Sequence, residues 1–185
     1  MSFNGKEITL INFLIIFYKN KLELFSDIIN QKTPLSLRLL DWLVTNYSKK
    51  YNITYPLKCN LETIYFNIYV DYKNQLKAYS KKFFDPFCRQ KRLVIDSHTL
   101  KWRTYTSDED VTKKDIVTTV GQLNFFRWFI ENKVMDYALC NVELIDSDMM
   151  ATVNSKKRGK RSVLSPSAMK GIYTNNCDIT IKFKP

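Results

Sequence analysis

Residues 61–84 read LETIYFNIYVDYKNQLKAYSKKFF, and this stretch decides the fold. Ile64–Tyr69 is aromatic and β-branched, the composition of a strand. Yet Tyr65, Tyr69, Tyr72, Leu76, Tyr79 and Phe83 are spaced 4, 3, 4, 3 and 4 residues apart, which is a helical stripe. The two readings compete over residues 61–70. From Asp71 onward the stripe predicts a helix. It ends before Asp85-Pro86, because proline drives the residue ahead of it out of the helical region.

Helix also dominates upstream. Leu10, Phe13, Leu14 and Phe17, then Leu22 and Phe25, predict one helix over residues 7–30 with a broad apolar face. Thr33-Pro34 supplies a capping oxygen and a proline for a second helix, Pro34–Lys50, with Leu39, Trp42, Leu43 and Tyr47 inward. Residues 52–59 read as a turn or short extended piece broken by Pro56. Downstream, Lys91–Tyr105 alternates loosely and predicts a β-hairpin around Asp96-Ser97-His98. Residues 107–110 (SDED) form an acidic surface loop. Thr118-Thr119 caps a further helix, with Gln122 in the capping-box position and Leu123, Phe126, Phe129 and Ile130 inward. Val134–Val142 reads as a strand and residues 143–153 as a short helix. Ser162–Gly171 reads as a last helical turn, and Cys177–Phe183 alternates as a terminal strand.

These elements predict an α+β protein, mostly helical, with a small β-hairpin or antiparallel sheet. At 185 residues the chain suits a single domain. Within it lie an N-terminal helical part (1–58), a central α+β part (59–155), a basic loop (156–161) and a C-terminal segment (162–185). Four glycines and five prolines argue against a turn-rich β-sandwich. The aromatic fraction of 14% argues for a folded body. Cys59, Cys88, Cys140 and Cys177 make no C-x-x-C pair, and His98 is the lone histidine, so a zinc site of adjacent ligands is not expected. Free thiols in a reducing compartment are expected, with no secretion signal at the start. The longest apolar run, Ile8–Phe17, has ten residues, where a membrane helix needs about 20.

The formal net charge is +11, and it sits in two segments. Residues 71–92 carry seven Lys/Arg against two Asp, and residues 151–170 carry six Lys/Arg and no acid. The rest of the chain balances at sixteen basic against sixteen acidic residues. A surplus gathered in this way attracts polyanions. In the first segment the candidate phosphate contacts are Lys73, Lys77 and Lys81 at i, i+4 and i+8, with Lys82, Arg89, Lys91 and Arg92 after them. In the second they are Lys156, Lys157, Arg158, Lys160 and Arg161, a hinged block suited to a phosphate backbone or a minor groove. A solvated lysine face, or an import signal for the second block, are the plainer readings. Tyr72, Tyr79 and Trp102 are candidates for base stacking, while Trp42 and Trp128 read as core.

Catalytic signatures are poor. A triad would have to use His98, and no glycine-rich phosphate loop occurs. Asp108, Glu109 and Asp110, or Glu143, Asp146 and Asp148, would hold Mg²⁺ if they converged. Asp71-x-Lys73 at a strand end would resemble part of a metal-dependent nuclease site. The residues therefore favour a non-enzymatic protein with no cofactor and no metal.

Leu76–Arg89 (LKAYSKKFFDPFCR) and Thr118–Asn132 (TTVGQLNFFRWFIEN) resemble segments of an uncharacterised family of small proteins from nucleocytoplasmic large DNA viruses of the mimivirus kind. Lys157–Ile172, basic and then serine-rich, fits the same family. The resemblance carries no established activity and no functional residue. It implies a viral protein of the host cytoplasm, in a viral factory, or of the virion. It makes viral DNA, ahead of RNA, the available polyanion, and other viral proteins further partners. The expected function is nucleic-acid binding through phosphates, in genome packaging or viral transcription. The alternative is a virion structural or adaptor protein for an acidic protein partner.

Overall fold

The computed structural model describes residues 2–59, 62–106, 112 and 114–158. By its contacts the chain divides into one unit spanning Met1–Met150 and a second spanning Ala151–Pro185, of which Ala151–Arg158 is described and helical. The architecture is α+β, as expected. Helices predominate, and two small antiparallel sheets accompany them. Among the described residues no helix is long and apolar enough to cross a membrane.

The contested stretch is both strand and helix. β1 (Thr54–Cys59) and β2 (Glu62–Asn67) pair antiparallel, with Thr54 opposite Asn67. α5 (Ile68–Phe83) follows at once. Asn67 makes the switch, since its side chain accepts from the Val70 amide and donates to Asn52 and Thr54. The tyrosine periodicity therefore crosses a boundary that it does not announce. α5 itself is interrupted at Ser80, where φ is 57° and ψ is 169°. This is backbone space that glycine occupies at little cost and other residues rarely enter. Ser80→Gly should therefore stabilise the fold by about 1 kcal/mol, read from the urea midpoint. An unchanged or lower midpoint would contradict the strain.

The N-terminal helix is two helices, α1 (Gly5–Tyr18) and α2 (Leu22–Ile29), not one over 7–30. The chain breaks at Lys19–Lys21, a polar stretch with little to bury. α1 starts with a capping box between Asn4 and Glu7. The next helix begins later than Thr33-Pro34 suggests. Ser36 caps α3 (Leu37–Trp42) by accepting from the Leu39 amide. A π-helical turn (Leu43–Tyr47) and α4 (Ser48–Tyr51) continue it. The left-handed Asn52 then ends it, as asparagine often does.

The predicted hairpin is present as β3 (Arg92–Asp96) and β4 (Trp102–Thr104). A strand absent from the sequence reading, β5 (Asp115–Thr119), completes a sheet of order β4-β3-β5. Val134–Val142 is not a strand. α7 (Val134–Cys140) and α8 (Val142–Arg158) occupy this region, because Val134, Met135, Ala138 and Ile145 recur at helical intervals and are buried. The acidic loop at 107–110, the helical turn at 162–171 and the strand at 177–183 lie outside the described residues.

α6 (Val120–Glu131) is the centre of the core. Thr119 caps it by accepting from the Gln122 amide. The Gln122 side chain does not complete a capping box. It accepts from Thr118 and donates to the Pro86 carbonyl. Leu123, Phe125, Phe126, Trp128 and Phe129 are all at most 1% exposed, so the helix is enclosed nearly all round. Tyr18 on α1 donates to the Leu123 carbonyl at 2.7 Å, and Tyr55 on β1 donates to the Asn132 carbonyl at 2.7 Å. Gly121 permits the closest approach, because a Cβ there would lie 2.9 Å from the Lys82 carbonyl oxygen.

Candidate nucleic-acid interface

α6 fixes the first basic segment from beneath. The Gly121 carbonyl accepts from the Asp85 amide at 3.2 Å. Asn124 donates to the Phe83 carbonyl at 2.9 Å, and Gln122 donates to the Pro86 carbonyl at 2.9 Å. Buried side-chain amides on α6 thus hold the backbone between Phe83 and Pro86, and the cations on either side inherit that placement.

The seven cations of this segment do not form one array. Lys73 and Lys77 are exposed on successive turns of α5, and neither makes an ion pair among the described residues. Asp71, the one acid of that helix, faces elsewhere and accepts from Trp128 Nε1 and Gln75. Lys81 is exposed but lies past the Ser80 break, so the expected row at i, i+4 and i+8 is cut after two members. Lys82 pairs with Glu7 at 2.9 Å. Arg89 pairs with Asp85, its Nε donating at 3.0 Å. The Lys91 ammonium sits 3.8 Å from the centre of the Phe3 ring, and the Arg92 guanidinium 5.8 Å from that of Tyr105. Ring contacts leave the charge of Lys91 and Arg92 intact.

Electrostatics follow this geometry. The Asn4 amide and then Lys82 hold the Glu7 carboxyl below the ordinary range. Burial and then the neighbouring Asp85 raise that of Asp41, with Arg89 and Lys81 opposing. Burial pushes the Tyr72 hydroxyl up to about 12. Two acids from other parts of the chain, Glu7 and Asp41, and the segment's own Asp85 therefore lie among Lys81, Lys82, Arg89 and Lys91. Charge without an ion pair among the described residues thus remains at both ends of the segment, on Lys73 and Lys77 of α5 and on Lys91 and Arg92 after it.

The second block begins on a helix. Lys156, Lys157 and Arg158 continue the backbone of α8 where a loop was expected, because no glycine or proline intervenes and Lys and Arg are good helix formers. Lys160 and Arg161 lie outside the described residues.

The proposed stacking rings are not available as expected. Tyr72 is 7% exposed. Trp102 packs edge-on against Phe3 and donates to Asn12. Tyr79 is half-buried beside the core. Sequence reasoning missed the open rings near α5, Tyr51 at 50% and Tyr65 at 76% exposure, and it missed Lys49, whose ammonium stands 5.7 Å from the centre of the Tyr69 ring. The signal was present in Lys49-Lys50-Tyr51, but only the fold brings it to α5.

Two of the carboxylates read as catalytic candidates, Asp71 and Asp148, are engaged elsewhere, and Glu143 and Asp146 belong to no cluster with them among the described residues. Asp71 lies in the first turn of a helix and not at a strand end. Asp148 accepts from Trp42, Lys50 and Tyr51. Asp108, Glu109 and Asp110 lie outside the described residues. His98 borders the cleft of about 590 Å³ between α2 and β5, where Asp27 pairs with Lys32 and Asp115 with Arg103. Among the described residues no three His, Cys, Asp or Glu side chains converge as a metal site would require.

No solved structure matches the chain. An uncharacterized protein of Acanthamoeba polyphaga mimivirus is 40% identical over 138 residues, which cover 73% of this chain and 49% of that relative. The chain thus spans about half the length of the curated relative that it matches. The giant-virus resemblance seen in Leu76–Arg89 and Thr118–Asn132 is upheld. Residues 1–180 match a family of unknown function, DUF7197, and the chain belongs to that family.

Proposed function

We propose that this is a non-enzymatic protein that binds nucleic acid through its phosphates, in packaging or transcription of a viral genome. One observation carries the reading. Lys73 and Lys77 stand exposed on α5 without ion pairs among the described residues, while the acid beside them is turned to Trp128. Like charges one turn apart destabilise a helix, and phosphates offset that cost. The second block, five charges in six residues from Lys156 to Arg161, supplies further contacts.

Fluorescence anisotropy with a labelled oligonucleotide tests the reading. The variant Lys73→Glu/Lys77→Glu should bind at least about tenfold more weakly at low salt, and deletion of residues 156–161 should weaken binding further. Affinity unchanged by both alterations would contradict the reading. Ile8, Phe13 and Ile16, exposed along α1, favour the alternative of an adaptor that docks a protein partner, and the basic surplus of the chain favours an acidic one. Purified protein free of nucleic-acid absorbance, together with capture by an acidic protein, would select that reading.

A further inference from the structure

The most exposed aromatic ring among the described residues, Tyr65, lies on the hairpin that leads directly into the helix carrying Lys73 and Lys77. The end of α4 and the start of α5 are held together through the hairpin. The Ile68 amide donates to the Ile53 carbonyl at 3.2 Å, and Thr54 pairs with Asn67. Tyr69, in the first turn of α5, therefore meets Lys49 of α4. Lys73 and Lys77 follow Tyr69 at i+4 and i+8, on the same side of the helix and before the Ser80 break. On the hairpin Tyr65 lies opposite Pro56, and Lys58 is the next residue of β1 on that face. Tyr65 makes no hydrogen bond and no ring contact among the described residues, yet 76% of it is exposed. Tyr51 differs, because its ring lies against Tyr47 at 4.6 Å and its hydroxyl donates to Asp148.

We infer that this junction is a binding surface for single-stranded nucleic acid, with bases stacking on Tyr65 and Tyr69 and phosphates held by Lys49, Lys58, Lys73 and Lys77. The inference rests on the nucleic-acid reading above and deepens it. A flat unpartnered ring offers a π-face to any unpaired base, whereas duplex bases are already stacked on one another. Cations alone serve either form. The exposed Tyr65 ring and the half-buried Tyr69 ring beside Lys49 serve the single strand, and that role explains why a large aromatic side chain is left in water.

The test compares a labelled thymidine homopolymer with a hairpin duplex of the same nucleotide count at one ionic strength. The full chain should bind the single strand at least about tenfold more tightly. Tyr65→Ala should weaken single-strand binding about tenfold and leave duplex binding unchanged, while Tyr65→Phe retains both. Tyr65 is exposed and unbonded, so the alanine variant keeps the fold, which circular dichroism verifies. Tyr69→Phe should likewise retain binding. Equal affinity for the two forms, or a single-strand affinity indifferent to Tyr65→Ala, would overturn this inference and leave the phosphate reading standing. Failure of both ligands to bind would overturn the two together.

Discussion

Trp128→Ala should lower the free energy of unfolding by about 4 kcal/mol, and the melting temperature by about 10 °C. Trp128 is 1% exposed. Its ring centre lies 5.5 Å from those of Phe84 and Phe129, and 6.1 to 6.3 Å from those of Phe66, Tyr72 and Phe125. One side chain thus joins β2, α5, the segment after α5 and α6. Truncation leaves a cavity that rings held by separate elements cannot easily fill. It also removes the indole donor from Asp71, and that carboxylate is then free to turn toward the lysines of α5. Nucleic-acid affinity should therefore fall along with stability. A loss below about 1 kcal/mol would show that the aromatic cluster is not the packed centre described.

Asp148→Ala should cost about 2 kcal/mol. The carboxylate is 8% exposed and receives three donors, Trp42 Nε1 at 3.0 Å, Tyr51 Oη at 3.0 Å and the Lys50 ammonium. The π-helical turn at Leu43–Tyr47 lies between Trp42 and the other two donors, and all three reach one acid. Burial raises the Asp148 carboxyl, but the bonds from Lys50, Trp42 and Tyr51 outweigh it and the net direction is down. A carboxyl lowered in this way stabilises the fold above its unfolded pKa, and the contribution fades as pH falls through the lower folded value. Glu7 shifts in the same direction. Asp41, raised by burial, works oppositely and disfavours the fold when ionised. Stability measured from neutral pH into the acid range should therefore fall in the wild type, and fall less in Asp148→Ala. Parallel curves would contradict the assigned role.

What the sequence revealed and what it hid have physical reasons. Strong local signals were legible. Thr119 as a cap, the apolar side of α6 and the β3–β4 hairpin depend on residues close in the chain. The boundary at Asn67 was hidden, because tyrosines at helical spacing ran through a strand and a helix alike. β5 was hidden because DIVTT is short and its partner β3 is distant in sequence. Val134–Val142 misled because valine and tyrosine suit strands, while burial on one side of α7 prevailed.

The interface was legible in charge and not in geometry. Counting located Lys73 and Lys77 but did not foresee that Glu7, over sixty residues earlier, would take Lys82. Nor did it foresee that Asp85 would turn back on Arg89. The stacking rings failed for a related reason. Tyr72 belongs to the core-facing stripe, whereas Tyr65 lies on the part of β2 whose first four residues are all exposed, which a helical reading conceals.

The most direct measurement is the salt dependence of oligonucleotide binding by the full chain. The logarithm of the binding constant, plotted against the logarithm of salt concentration, should fall linearly with a slope of about −3 or steeper, as release of counterions from several phosphates requires. The slope should become shallower by roughly one for each contact removed with Lys73 and Lys77. Binding insensitive to salt, or no binding even at low salt, would contradict recognition through phosphates.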